Sequence, residues 1–63
     1  VIPLDMIFIR ADGRIARIAA ETTPFSLLPV DSGEPVAAVL ELAGGRAAQL
    51  GLAGGDKVVW KRR

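Results

Sequence analysis

Apolar residues near the start of the chain fall on both parities. Ile2, Leu4, Met6 and Phe8 would share one face of a strand, with Asp5, Ile7 and Ile9 on the other. That pattern predicts a strand over 2–10, and apolar residues on both faces predict burial on both sides. Pro3 stands near the start, where its missing N–H does least harm. Ala11-Asp12-Gly13 is turn chemistry, with Gly13 able to supply a positive φ in a short hairpin loop. The returning strand is expected over 14–20. Its pattern is less regular, because Ile15 and Ile18 stand three apart, a spacing that also suits a helical turn. The short loop and the strong preceding strand favour the hairpin.

Residues 21–35 read as a loop, since Pro24, Pro29 and Pro35 remove donors and Asp31-Ser32-Gly33 is a turn signal. Phe25, Leu27, Leu28 and Val30 are expected to lie down on the core. Residues 36–42 alternate, with Val36, Ala38, Leu40 and Leu42 on one face, and predict a half-buried strand. Residues 44–50 predict one or two helical turns, ended by Gly51 in the left-handed conformation with Leu52 packing back. Ala53-Gly54-Gly55-Asp56 predicts a tight turn and 57–61 a last strand, with Val58 and Trp60 on one face. A small, mainly β fold with one short helix is the class this order implies.

Composition alters the picture in one respect. The chain has 63 residues and is 51% hydrophobic, but much of that share is alanine and only Phe8, Phe25 and Trp60 are aromatic. Small side chains bury little area, and no Cys or His is present to add a disulfide or a structural zinc. The expectation is a single domain over 1–63 that is either marginal alone or needs more protein beside it. Its apolar faces at 2–9 and 36–42 would be covered by the missing half of a longer protein or by a second copy. The formal charge of +1 points to no polyanionic partner. No basic leader precedes the first apolar run, and 1–9 is too short to span a bilayer.

Two stretches resemble a known family. Ile2-Pro3-Leu4-Asp5-Met6-Ile7-Phe8-Ile9 followed by Ala11-Asp12-Gly13-Arg14-Ile15 resembles the hallmark hairpin of the bacterial domain-of-unknown-function 192 family. Val39-Leu40-Glu41-Leu42 with Gly44, Ala47-Ala48, Leu50-Gly51-Leu52 and Gly55-Asp56-Lys57-Val58 is similar to that family's C-terminal segment, in order and spacing. The resemblance implies a mainly β fold of sandwich or barrel type, commonly in exported bacterial proteins, with no established activity. It also implies that this chain corresponds to the C-terminal half of a larger β domain, whose missing N-terminal half would be the partner that covers it. Some members carry Cys in the loop matching 21–35, and this sequence has none there. Over the C-terminal half, Arg46 to Leu52 and then Gly55-Asp56-Lys57-Val58-Val59 is also similar to the helix–Gly–Leu–turn–Asp–strand run of PDZ peptide-binding domains. No Gly-Leu-Gly-Phe-like carboxylate loop accompanies it.

Candidate chemistry is sparse. Without His or Cys, a serine or cysteine triad and a His-based metal site are unavailable within the chain. Asp5 is the candidate ligand-binding residue, because a carboxylate among apolar neighbours can have a raised pKa. The competing expectation is a buried structural Asp that accepts backbone hydrogen bonds or pairs with Arg10, Arg14 or Arg17. Asp31, Glu34 and Glu41 can be imagined as a carboxylate pair, yet turn and surface roles explain each. Asp12 and Asp56 are turn residues on the same grounds, and Ser26 and Ser32 have no base. Lys57, Trp60, Lys61, Arg62 and Arg63 form a basic end better read as a solvated terminus than as a nucleic-acid site. The sequence therefore favours a structural or ligand-binding module without cofactor or metal over a catalyst. The alternatives are a PDZ-like peptide-binding module, or an enzyme whose other groups lie in a missing half.

Overall fold

The computed structural model describes residues 2–23 and 31–59. They form three strands and one helical turn: β1 (Leu4–Ile9), β2 (Ile15–Thr22), β3 (Ala38–Ala43) and α1 (Arg46–Gln49). The sheet is antiparallel with β1 in the middle, in the order β2-β1-β3. The mainly β class with one short helix is as the sequence predicts. Among the described residues there is one sheet, and its core face is covered by α1 and the 52–58 segment.

The hairpin forms around a type I turn. Gly13 N–H donates to Arg10 O at 2.9 Å and Arg10 N–H to Arg14 O at 2.8 Å, with Gly13 at φ 85°. This is the three-residue loop in which a left-handed residue completes the turn. The Asp12 carboxylate accepts the Arg14 N–H at 2.9 Å and holds the loop from inside.

The irregular pattern of β2 has a geometric cause. Phe8 pairs with Arg17 but Ile9 pairs with Ile15, so Ala16 is an extra residue. A bulge of this kind puts two side chains three apart onto one face. Ile15 and Ile18 therefore both reach the core, without any helical turn. A second shift opposes Ala20 and Glu21 to Asp5, between the pairs Met6–Ala19 and Leu4–Thr22. Glu21 there adopts φ 50°, the left-handed region that a non-glycine side chain seldom enters. β2 extends through this bulge to Thr22, two residues beyond the expected strand.

The core lies on the face of β1 that carries Ile7 and Ile9. These residues, Ile15 and Ala47 are buried together, with Ile18, Ala38, Leu42, Leu52 and Val58 packed against them. On the opposite face Phe8 and Ala19 are also buried, and Leu4 and Met6 are half-buried. Burial on both sides of the strand, as its pattern predicts, is thus met at Phe8.

Two other expectations are corrected. β3 starts at Ala38 rather than residue 36, after Ala37 donates its N–H to Ile9 O at 2.8 Å. Of the expected strand over 57–61, residues 57–59 are described, and there the pairing is an isolated bridge between Arg14 and Lys57, bounded by Val58 N–H to Gly13 O at 2.8 Å. The tight turn before it, with Gly55 at φ 89°, is held by Gly55 N–H to Ile15 O at 2.8 Å and Ile15 N–H to Asp56 O at 2.9 Å. The expectations for Phe25, Leu27, Leu28, Val30 and Trp60 fall outside the described residues.

α1 is a single turn, shorter than the expected 44–50. Leu52 N–H reaches Ala47 O and Gly51 N–H reaches Ala48 O, both at 3.0 Å, with Gly51 at φ 69°. That pair of bonds is the Schellman ending read from Gly51-Leu52 in the sequence. A Cβ at Gly51 would meet nothing within 4 Å, so a side chain there costs only backbone strain. Gly51→Val should destabilise the chain by about 1–2 kcal/mol, lowering the melting temperature. A D-alanine at the same position, whose preferred φ is positive, should be tolerated. Equal melting temperatures for Gly51→Val and the parent would refute the cap.

Candidate functional site

Asp5 is the one charged side chain buried among the described residues, with 0% exposure. It sits in the middle strand and points to the core side, beside Ile7. Its Oδ1 accepts the Glu21 N–H at 2.8 Å and the Gly45 N–H at 3.1 Å, and its Oδ2 accepts the Ala47 N–H at 2.8 Å. Each donor is presented by a local departure from regular structure. The second bulge frees the Glu21 amide from the ladder. Gly45, at φ 89°, turns its amide inward at the start of α1. The Ala47 amide belongs to the first turn of α1, where no intrahelical acceptor exists. No neighbouring side chain caps α1, and Asp5 takes that part from 40 residues away in sequence.

These amides hold the Asp5 carboxyl below its ordinary pKa. The Glu21 amide contributes most, then Ala47; burial works in the opposite direction and Gly45 adds to the lowering. A raised pKa suited to proton transfer is therefore not what this environment produces. None of Arg10, Arg14 or Arg17 serves as its partner. Arg10 forms a two-point pair with Glu34, Nε to Oε1 at 2.5 Å and Nη2 to Oε2 at 3.2 Å. Arg14 donates to Gly55 O at 3.0 Å, and Arg17 donates to Asp31 O.

The remaining carboxylates do not assemble. Glu34 is bound by Arg10, whose hydrogen bond is the main cause lowering the Glu34 pKa. Asp31 accepts the Gly33 N–H at 2.8 Å and Asp56 the Ala53 N–H at 2.8 Å, both as turn residues. Glu41 is exposed on β3, opposite Met6. Among the described residues no group of three potential metal ligands occurs. Lys57 donates to the Asp12 carbonyl, so this part of the basic end is tied to the hairpin turn; residues 60–63 lie outside the described chain.

A feature that the sequence did not single out is an apolar groove of about 370 Å³ lined by Ile9, Ala38, Val39, Leu40, Val58 and Val59. Three of its residues are well exposed: Val39 at 45%, Leu40 at 42% and Val59 at 79%. By pairing, Leu40 lies opposite Ile7 on the core face, yet it opens into the groove. Beside it runs the outer edge of β3, which pairs with no further strand among the described residues. Gly44 N–H bonds Pro3 O at 2.8 Å, and from there alternation turns the N–H and C=O of Val39 and Glu41 away from β1. Clean alternation at 36–42 was the available sequence signal for an edge strand; what flanks that edge was not legible.

Two outcomes test the Asp5 arrangement. Asp5→Ala leaves three inward amides without their acceptor and should lower the melting temperature more than Gly51→Val does. A smaller loss would show that water replaces the carboxylate without penalty. The pH dependence has a definite sign. The folded pKa lies below the unfolded value of about 3.9, so this stabilisation is complete above that value and fades as pH falls through the folded pKa. Thermal melts should show stability falling below about pH 4 in the parent, with a shallower fall in Asp5→Asn, which cannot titrate.

The comparisons with known proteins agree with this architecture. The chain is similar to the crystal structure, at 1.22 Å, of a protein of unknown function from Novosphingobium aromaticivorans DSM 12444, with 50% identity and a TM-score of 0.87. The match covers 95% of this chain and 43% of that one, so this chain spans less than half of its length. No curated protein matches. The family model that matches is DUF192, described as Uncharacterized ACR, over residues 1–60. With that match running nearly end to end, the chain belongs to the domain-of-unknown-function 192 family.

Proposed function

We propose that this chain is a non-catalytic binding or structural β module, one part of a larger β domain, whose working surface is the apolar groove beside β3. The observation that carries the reading is the contrast between that groove and Asp5. The buried carboxylate is saturated by backbone amides, whereas the groove presents Val39, Leu40 and Val59 to solvent. An exposed apolar concavity next to an open edge is what an apolar ligand or partner segment needs. Of the charged groups described above, Asp5 accepts backbone amides, Arg10 and Glu34 form an ion pair, Asp12, Asp31 and Asp56 hold turns, and Glu41 is exposed on β3, which gives no support to a catalytic reading of these residues. α1 lines no part of the groove, so a PDZ-like reading gains nothing from the helix.

A hydrophobic fluorescent dye, 1-anilinonaphthalene-8-sulfonate, probes the groove directly. The folded chain should bind it, and Leu40→Lys and Val59→Lys should each weaken binding several-fold while leaving the near-ultraviolet circular dichroism unchanged. Dye binding by the folded chain that neither substitution affects would overturn the assignment of the groove, as would no binding at all.

A further inference from the structure

We infer that the occupant of the groove is an extended polypeptide strand that adds to the outer edge of β3, supplied by the chain that accompanies this segment in its longer relative. The inference rests on the binding reading above and names its ligand class. Apolar walls alone would accept any greasy molecule. Here the wall formed by Ala38, Val39 and Leu40 is continuous with a sheet edge whose N–H and C=O groups at Val39 and Glu41 face outward. A strand satisfies both features at once: its main chain bonds the edge, and every second side chain drops into the groove.

The edge also lacks the devices that keep isolated edges apart. Between Ala38 and Ala43 there is no Pro and no Lys, and Glu41 is the single charge. Natural edge strands that stay unpaired are usually blunted by such residues. Each outward residue offers one N–H and one C=O, so an added strand of about five residues covers both positions. It should be apolar at alternate positions and free of Pro where it faces Val39 and Glu41.

The source of that strand follows from the comparison. In the Novosphingobium protein the same fold recurs at 50% identity, with more than half of that chain outside the match. A strand drawn from that remainder is tethered to its acceptor and needs far less intrinsic affinity than a free peptide or a second copy.

The test mixes the 63-residue chain with the polypeptide of the Novosphingobium protein that lies outside the match, and follows amide hydrogen exchange by NMR. A one-to-one complex should form in which the Val39 and Glu41 amides slow by at least about a hundredfold. Val39→Pro, which removes an outward N–H and no bond to β1, should weaken the complex about tenfold or more. A complex without protection at Val39 and Glu41 would overturn strand addition. A homodimer of the 63-residue chain that protects the same two amides would overturn the proposed source. Dye binding in the groove with no polypeptide complex would end this inference and leave the groove assignment standing; loss of both would end the two together. The same exchange on the intact Novosphingobium protein decides the matter if its isolated remainder precipitates, because the amides aligned with Val39 and Glu41 must then be protected.

Discussion

The carboxylate of Asp5 is the constraint around which the rest of the structure is arranged. It stands in the central strand and accepts amides from the end of β2, from the β3–α1 junction and from α1 itself. Those segments are distant in sequence, and among the described residues the helix packs on the sheet through few other contacts. Only Ala47 of α1 is buried. One alanine offers little apolar area, so the amide bonds at Asp5, rather than hydrophobic contact, fix where the helical turn sits. A charged acceptor makes stronger bonds than a neutral one, which is the physical reason for a carboxylate here.

Such an acceptor works only if the backbone delivers donors to it, and the delivery carries strain. Glu21 holds φ 50° and Gly45 φ 89°. The glycine adopts that conformation freely, whereas the glutamate does so against the contact between its Cβ and the backbone. The bulge that forces Glu21 into this region is also what detaches its amide from the β1–β2 ladder. Strain at one residue and stabilisation of a buried charge are therefore the two sides of one arrangement. The pairing also accounts for the arginines, which are free to brace the loops: Arg10 on Glu34, Arg14 on Gly55 and Arg17 on Asp31.

Much of this fold was legible in the sequence, because the informative signals were local. Asp12-Gly13 specified its turn, Gly51-Leu52 specified the helix ending, and the alternating run before them specified β1. The burial of Asp5 was also legible, since a lone carboxylate in an apolar strand must be either functional or satisfied. The sequence allows either backbone groups or an arginine as its partners. The structure has backbone amides, and their identity was not legible, because an amide donor leaves no mark in the identity of Glu21 and only Gly45 hinted at a special conformation. The bulges were hidden for the same reason: the spacing of Ile15 and Ile18 announced an irregularity without saying which. β3 was found but placed two residues early, because Val36 and Ala38 share a parity that only tertiary pairing can interrupt. Of the last strand, the bridge at Lys57 lies where periodicity placed it, just after the tight turn that Gly54-Gly55-Asp56 announced; residues 60 and 61 lie outside the described residues.

The groove has a different origin, and Leu40 explains it. Opposite Ile7 in the ladder, Leu40 belongs to the core face by geometry, yet it remains 42% exposed while Ile7 is fully buried. The two residues differ in position within the sheet rather than in chemistry. Ile7 lies in the central strand, packed with Ile15 and Ala47, whereas Leu40 lies in the edge strand with a neighbouring strand on one side only. On β3, Ala38 and Leu42 pack against the buried cluster, while Leu40 between them stays partly open among the described residues. Leu40 is thereby left open on a side where the sheet can still grow. Val39 is exposed for another reason: it pairs with Phe8 and so points to the opposite face of β3 from Leu40. The groove thus sits where side chains from both faces of the edge strand meet, and the apolar surface that the described residues leave uncovered lies along a strand edge at which the sheet can extend.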